Sequence, residues 1–196
     1  MKVIGITGGA GSGKTEVLKI LETEFNAHII IADDVSRHLC DPGEKSYVKI
    51  VDAFGTDILS ETGDIDRKKL AAIIFADDQK REILNSITHP DVWDAIVSDI
   101  ENTKKNKKSA MIIIEAALLI EAGYEKICDE LWYVHTNEDI RRTRMKETRG
   151  YTDEKIDQII KSQLSEKTFY EHCQFVIENN TTIDDIRIQL KSYIQK

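Results

Sequence analysis

The feature that most constrains this chain is a glycine-rich octet at residues 8–15, with the sequence GGAGSGKT. It directly follows an apolar run at residues 3–6 and fits G-x-x-x-x-G-K-[ST], the phosphate-loop pattern found between a strand and a helix. Glycines let successive backbone N–H groups point toward one centre at a helix N-terminus, where they bind phosphate. The octet therefore predicts binding of a nucleoside triphosphate through Gly9, Ala10, Gly11, Ser12, Gly13, Lys14 and Thr15.

Two side chains of the octet, and one further along the chain, predict a magnesium-dependent phosphate site. Lys14 can reach the outer phosphates as a point charge, and the Thr15 hydroxyl can bind Mg²⁺. Glu115 ends the most apolar segment of the chain, residues 110–114, and such a carboxylate holds Mg²⁺ through water in phosphate-loop enzymes. The alternative for Glu115 is a solvated strand end. We expect Mg²⁺ as the cofactor, with Thr15 and Glu115 as its protein ligands.

Apolar patterning predicts an α/β fold, a three-layer parallel sheet of the P-loop NTPase type with a helical substrate-binding insertion and a helical lid. A strand at 2–7, a helix after the octet and an apolar run at 28–31 make a βαβ unit, which favours parallel strands. Further strands are expected at 110–114, 130–134 and 174–177. Ligands bind beyond the carboxyl ends of such strands, where Asp33 is expected to lie beside the phosphate loop.

The segment between the second and third strands has helical periodicity and is too long for a plain crossover. We assign residues 34–108 to a helical acceptor-binding lobe, and residues 1–33 with 109–196 to a nucleotide-binding core. Within the lobe, His89 and Pro90 are expected to interrupt the helical pattern, with Pro90 as the first residue of a new helix.

Four arginines occur within nine positions, at Arg141, Arg142, Arg144 and Arg149. They could form a basic helix face paired with nearby acids. In a phosphate-loop protein, however, guanidinium groups that close over the polyphosphate stabilise the charge of the transferring phosphoryl. We therefore favour a lid over residues of about 141–165.

Bulk composition excludes several other classes of function. The net charge of −8 argues against binding along a nucleic-acid backbone, and no apolar run approaches the roughly 20 residues that span a bilayer. The three cysteines indicate neither a disulfide framework nor a zinc site, and the first strand begins too early to leave room for a signal peptide. We expect a cytoplasmic monomer or small homo-oligomer that binds neither nucleic acid nor membrane.

Beyond the octet, a series of motifs resembles the dephospho-coenzyme A kinase family over nearly the whole chain. The matching segments are Ala32-Asp33 followed by Arg37, then 66–70 with Ile74-Phe75, His89-Pro90, and Leu118 to Glu121. Arg142 or Arg144, Arg149, Gln163 and Asn179 fall where the family has lid arginines, a lid glutamine and a late asparagine.

The resemblance implies ATP and dephospho-CoA as substrates and assigns roles to residues. Asp33 would take or orient the proton of the ribose 3′-hydroxyl, and Arg37 would bind the acceptor. Lys14, with Arg142 or Arg144 and Arg149, would neutralise the transferring phosphoryl. His89 and Leu118 would help to shape the acceptor pocket; a structural role for His89 at a helix start is the alternative.

Several positions depart from the family pattern, and two other functions therefore stay open. Ile31 stands where the family usually has the first aspartate of D-A-D, and Ala117 replaces a proline. One alternative is a phosphate-loop kinase of another small acceptor, such as a nucleoside or nucleotide. The other is a nucleotide-binding regulatory module with little turnover, which the presence of both Lys14 and Asp33 disfavours.

Overall fold

The computed structural model describes residues 1–195, which form two compact units. One unit comprises Met1–Ile30 together with the chain from Thr103 onward, and the other comprises Ile31–Asn102. The boundaries between core and lobe that were predicted from the sequence lie at residues 33/34 and 108/109. Within the described residues, no helix is both long and apolar enough to cross a bilayer.

The first unit is built on a five-stranded sheet with the strand order β2-β3-β1-β4-β5. The strands are β1 Val3–Thr7, β2 Ala27–Ile31, β3 Met111–Glu115, β4 Glu130–His135 and β5 Phe175–Glu178. β1 pairs in parallel with both β3 and β4, and β4 pairs in parallel with β5. Helices cover both faces of the sheet, so the predicted α/β fold is confirmed.

The helices of this unit are α1 Lys14–Phe25, α6 Glu138–Arg149, α7 Asp153–Lys161, α8 Glu166–His172 and α9 Ile183–Ile194. α1 and α9 pack their apolar faces on the sheet, with Leu21 and Leu190 fully buried in the core. All five residues of β1 are buried, because helices cover both faces of a parallel sheet. This burial holds the residues that follow β1 in a fixed position.

The second unit is helical, as predicted. It contains α2 Ala32–Leu39, α3 Lys45–Phe54, α4 Arg67–Ala76 and most of α5 Asp78–Asn106. Its small core is formed by Ile50, Ile58 and Leu70. A buried carboxylate, Asp91 of α5, links α5 to α3.

Asp91 accepts hydrogen bonds from Ser46 Oγ at 3.0 Å and from Lys49 Nζ at 2.7 Å, and Lys45 Nζ lies 2.9 Å from the same carboxylate. Burial alone would raise the pKa of Asp91, but the hydrogen bonds from these three side chains outweigh it and hold the pKa below its usual value. Asp91 is therefore ionised in the folded lobe, where Lys45 and Lys49 balance its charge.

One local prediction in the lobe was wrong. α5 runs continuously through Pro90, so no helix begins there. Proline removes one backbone hydrogen bond, but Val92 and Ile96 beyond it are buried, and this packing maintains the helix across the proline. α2 begins at Ala32, directly after β2, so Asp33 lies in the first turn of α2, two residues beyond the carboxyl end of β2.

Candidate active site

The phosphate loop connects β1 to α1 in a conformation that requires glycine at its last position. Gly13, the residue before α1, has φ 86° and ψ 26°, in the left-handed region. A Cβ atom at Gly13 would also lie 2.2 Å from Asn179 Nδ2. The loop is closed by a hydrogen bond from Ser12 N to Gly9 O at 3.1 Å, and α1 starts at Lys14. The N-terminal amides of α1 are thereby placed at the end of β1, as an anion site requires.

One carbonyl of the loop, that of Ser12, accepts hydrogen bonds from three side chains that lie far from it in sequence. The donors are Asn179 Nδ2 at 2.7 Å, Thr136 Oγ1 at 2.9 Å and Arg144 Nη1 at 3.4 Å. Thr136 directly follows β4, and Asn179 directly follows β5. Residues at the ends of two strands therefore fix the position of the phosphate loop. Ser12 Oγ is the one buried side-chain oxygen or nitrogen among residues 1–195 without a hydrogen-bond partner.

Lys14 is mostly buried and lies beside both the loop and Glu115. Its ammonium donates to Gly8 O at 2.7 Å and lies 3.6 Å from Glu115 Oε1. Burial lowers the pKa of Lys14; Glu115 opposes this shift, and the positive charges of Arg141 and Arg149 add to it. Two further cations therefore lie within electrostatic range of Lys14, and this concentration of positive charge suits a polyphosphate.

The arginines of α6 divide into two groups by their partners. Arg144 donates to the carbonyl oxygens of Ser12 and of Asn179, the latter at 3.1 Å, and so lies against the phosphate loop. Arg142 is held by two carboxylates on the protein surface, Glu138 at 2.7 Å and Asp157 at 2.6 Å. Arg142 thus belongs to a helix face whose basic residues are paired with nearby acids, whereas Arg144 lies at the phosphate loop.

Arg149, at the end of α6, lies with its guanidinium 5.9 Å from the centroid of the Tyr151 ring. It is close enough to Lys14 to lower the pKa of that lysine. Arg149 therefore lies within electrostatic range of the phosphate-loop lysine, without a hydrogen bond to the loop among residues 1–195.

Arg141 was named from the sequence only as one of four arginines of the expected lid, without a role of its own, yet it makes the shortest hydrogen bond from these arginines to the phosphate loop. Arg141 is only 7% exposed, and its Nε donates to Ala10 O at 2.9 Å. The available signal was helical periodicity: Met145, four residues further on, is almost fully buried, so both residues share the inward face of α6. Arg142 lies outside that face.

The residues expected to hold Mg²⁺ provide hard oxygen donors. Glu115 is the last residue of β3 and is only 14% exposed at its side chain, and Thr15 is an exposed residue in the first turn of α1. No group of three or more acidic, histidine or cysteine side chains capable of holding a metal occurs within residues 1–195. Mg²⁺ at such sites takes one or two protein oxygens and completes its shell with waters and substrate phosphates. The donor set therefore fits Mg²⁺ that arrives with a nucleotide.

The helical unit contains a separate cavity of about 480 Å³. Arg37 of α2 and Arg67 of α4 line it, together with Ser36, Cys40, Asp41, Asp64, Ile65 and Leu70. The Arg37 guanidinium is paired with Asp34 at 2.7 Å, one turn earlier in α2, and both side chains are more than half exposed. The cavity thus combines two guanidinium groups and two carboxylates, Asp41 and Asp64, with apolar side chains, so its polar lining carries both signs of charge.

The other expected acceptor residues are solvent-accessible. Asp33 is exposed on the same helix as Arg37, and His89 is exposed in the middle of α5. Leu118 is 58% exposed in the segment after β3, within the first unit. All three side chains are open to solvent and hence to a ligand.

Comparisons with known proteins identify the family. A family model for dephospho-CoA kinase matches residues 2–185. A curated dephospho-CoA kinase of Oceanobacillus iheyensis is 36% identical over 194 residues, covering 99% of this chain and 96% of the relative. Among solved structures, a dephospho-CoA kinase from Campylobacter jejuni shares the fold with a TM-score of 0.73 at 23% identity, covering 98% of this chain and 95% of its own. A shikimate kinase from Bacteroides thetaiotaomicron is a more distant fold relative, with a TM-score of 0.53 at 15% identity and coverage of 100% and 99%. The family model and the curated relative both match this chain over nearly its full length. This chain therefore belongs to the dephospho-CoA kinase family.

Proposed function

We propose that this protein transfers the terminal phosphoryl group of ATP to the ribose 3′-hydroxyl of dephospho-CoA, which yields coenzyme A and ADP. The observation that carries the proposal is the match to the family over nearly the whole chain. The phosphate loop with its buried lysine supports the donor half of the reaction, because it places a cation where the outer phosphates of ATP bind.

The donor half of the reaction belongs to the sheet unit. Loop amides from Gly9 to Thr15 bind the phosphates of ATP, and Lys14 exchanges its contact with Gly8 O for the phosphate oxygens. Arg144 and Arg149 approach from α6. Thr15 and Glu115 would hold Mg²⁺, which when bound neutralises charge on the phosphate oxygens.

The acceptor half belongs to the helical unit. Asp33 accepts the proton of the 3′-hydroxyl while the ribose oxygen forms a bond to the terminal phosphorus and the bond from that phosphorus to the ADP oxygen breaks. Arg37 binds a phosphate of the acceptor and exchanges its exposed partner Asp34 for it. Arg67 and His89 contribute to the acceptor surface of this unit, and Leu118 is an expected acceptor residue of the sheet unit.

A coupled assay of ADP release tests this function directly. The enzyme is given MgATP with dephospho-CoA, and in parallel with nucleosides, nucleotides and no acceptor. We expect dephospho-CoA to be the preferred acceptor by kcat/KM, with little ADP released when no acceptor is present. Turnover with a nucleoside or nucleotide but none with dephospho-CoA would refute the assignment, and the absence of any turnover would indicate a regulatory module.

A further inference from the structure

Arg141 lies against the phosphate loop with its charge unpaired. Its Nε donates to Ala10 O at 2.9 Å, and its Nη2 donates to Gln163 Oε1 at 2.7 Å. Both acceptors are neutral, and no carboxylate pairs with Arg141 among residues 1–195. The adjacent Arg142, in contrast, is neutralised by Glu138 and Asp157. A buried cation without a counter-ion is costly, and an anionic ligand removes that cost.

Gly9 allows this close approach. A Cβ atom built at Gly9 would lie 2.3 Å from Arg141 Nη2, 2.5 Å from Cζ and 2.8 Å from Nη1. The guanidinium group therefore occupies the volume that any side chain at residue 9 would need. The backbone of Gly9 is outside the left-handed region, unlike that of Gly8, Gly11 and Gly13, so glycine is needed here for space rather than for conformation.

Three of the five N–H donors of Arg141 have no partner within the described part of the chain. Two of these donors belong to Nη1, which is not sealed in the interior, because Ser12 Oγ is the one buried side-chain nitrogen or oxygen among residues 1–195 without a partner. Arg141 is also near enough to Lys14 to lower the pKa of that lysine, so both cations serve one site. The free donors thus lie beside the phosphate loop at Gly9, within electrostatic range of Lys14.

We propose that Arg141 is a further catalytic residue, whose guanidinium binds the terminal phosphate of ATP and stabilises the phosphoryl group as it is transferred. The fixed planar fork of donors matches phosphate oxygens, and Ala10 and Gln163 orient it before the nucleotide arrives. The proposal rests on the proposed function for the transfer step, but the contact to the terminal phosphate can be tested without an acceptor.

The acceptor-free test compares the affinities of ATP and ADP for Arg141→Gln by calorimetry. Loss of a charge-assisted hydrogen bond to the terminal phosphate should weaken ATP binding by roughly tenfold or more, while ADP binding changes by about twofold or less. The matched control is Arg142→Gln on the same helix, for which both affinities should stay at the wild-type level. Equal losses of ATP and ADP affinity in Arg141→Gln would overturn the proposal, because they would show that Arg141 only supports the loop.

A second test uses Gly9→Ala, which should displace the guanidinium without straining the backbone. With the preferred acceptor, Arg141→Gln and Gly9→Ala should each lower kcat by about 10²-fold, the scale of one lost transition-state donor. The double variant should be no slower than the slower single variant, since both changes remove the same contact. Multiplied losses, or wild-type kcat in Arg141→Gln, would contradict the proposal. A wild-type protein that bound ATP better than ADP through Arg141 but did not use dephospho-CoA would refute the proposed function alone.

Discussion

Thr136→Val tests whether the ends of the strands hold the phosphate loop through the Ser12 carbonyl. Thr136 follows β4, is 1% exposed, and places its hydroxyl 2.9 Å from Ser12 O and 3.2 Å from Asn179 O. Valine has nearly the same shape but lacks the donor. The substitution therefore removes one buried hydrogen bond with little change in packing.

The expected loss of stability depends on the hydrogen bonds that remain at Ser12 O and Asn179 O after the substitution. Ser12 O keeps the hydrogen bonds from Asn179 and Arg144, and Asn179 O keeps the one from Arg144. No carbonyl is orphaned, so the loss is that of one ordinary hydrogen bond, about 1 kcal/mol, rather than the larger penalty for an unsatisfied group. For a chain of this size, that corresponds to a fall in Tm of about 2–4 °C. If the whole loss of about 1 kcal/mol destabilises the loop conformation that binds ATP, the Kd for ATP rises by about fivefold.

Thermal unfolding and ATP titration of Thr136→Val measure both quantities. The control is Thr143→Val, the same change at an exposed position of α6 where the hydroxyl donates to Asp139 O. The control should change stability by less than about 0.5 kcal/mol and leave ATP affinity intact. Wild-type Tm and ATP affinity in Thr136→Val would refute the proposed support of the loop by Thr136. A loss far above 1 kcal/mol would show that the remaining donors do not compensate.

Three further variants test other parts of the molecule. Asp33→Asn should lower turnover by roughly 10²-fold or more with ATP affinity nearly unchanged, because only the proton acceptor is lost; near-normal kcat would exclude Asp33 as the base. Lys14→Ala should weaken ATP binding and abolish most turnover, and retained activity would overturn the phosphate-loop assignment. Asp91→Asn should lower the Tm of the protein at neutral pH, since Lys45 and Lys49 lose their buried carboxylate. The folded-state pKa of Asp91 lies below its usual value of 3.8, so its contribution is present above that pH and is lost as pH falls through the lower value. The difference in Tm between wild type and variant should therefore shrink as the pH falls below 3.8, and a difference that stays constant there would contradict this origin.

Much of the sheet unit could be predicted because its signals are local and strong. The octet 8–15 requires a strand before it and a helix after it, and both β1 and α1 lie where they were expected. Continuous apolar segments such as residues 111–114 of β3 are typical of strands covered on both faces. Positions where sequence and structure agree are those at which short-range pattern and burial point to the same conformation.

The rest depended on tertiary contacts that a sequence pattern does not contain. Pro90 normally ends a helix, but apolar packing on both sides of it maintains α5. Arg141 and Arg142 are chemically identical neighbours, and only the packing of α6 determines which guanidinium lies on the phosphate loop and which is paired at the surface. The contact between Thr136 and Ser12, 124 residues apart, has no local signal at all.

The most direct test of the central claim is the position of the new phosphate in the product. The enzyme is incubated with MgATP and dephospho-CoA, and the product is examined by phosphorus NMR with correlation to the ribose protons. We predict one new phosphomonoester coupled to the 3′ proton of the ribose, together with one equivalent of ADP. A phosphate at any other position, or ADP formed without a phosphorylated acceptor, would contradict the account.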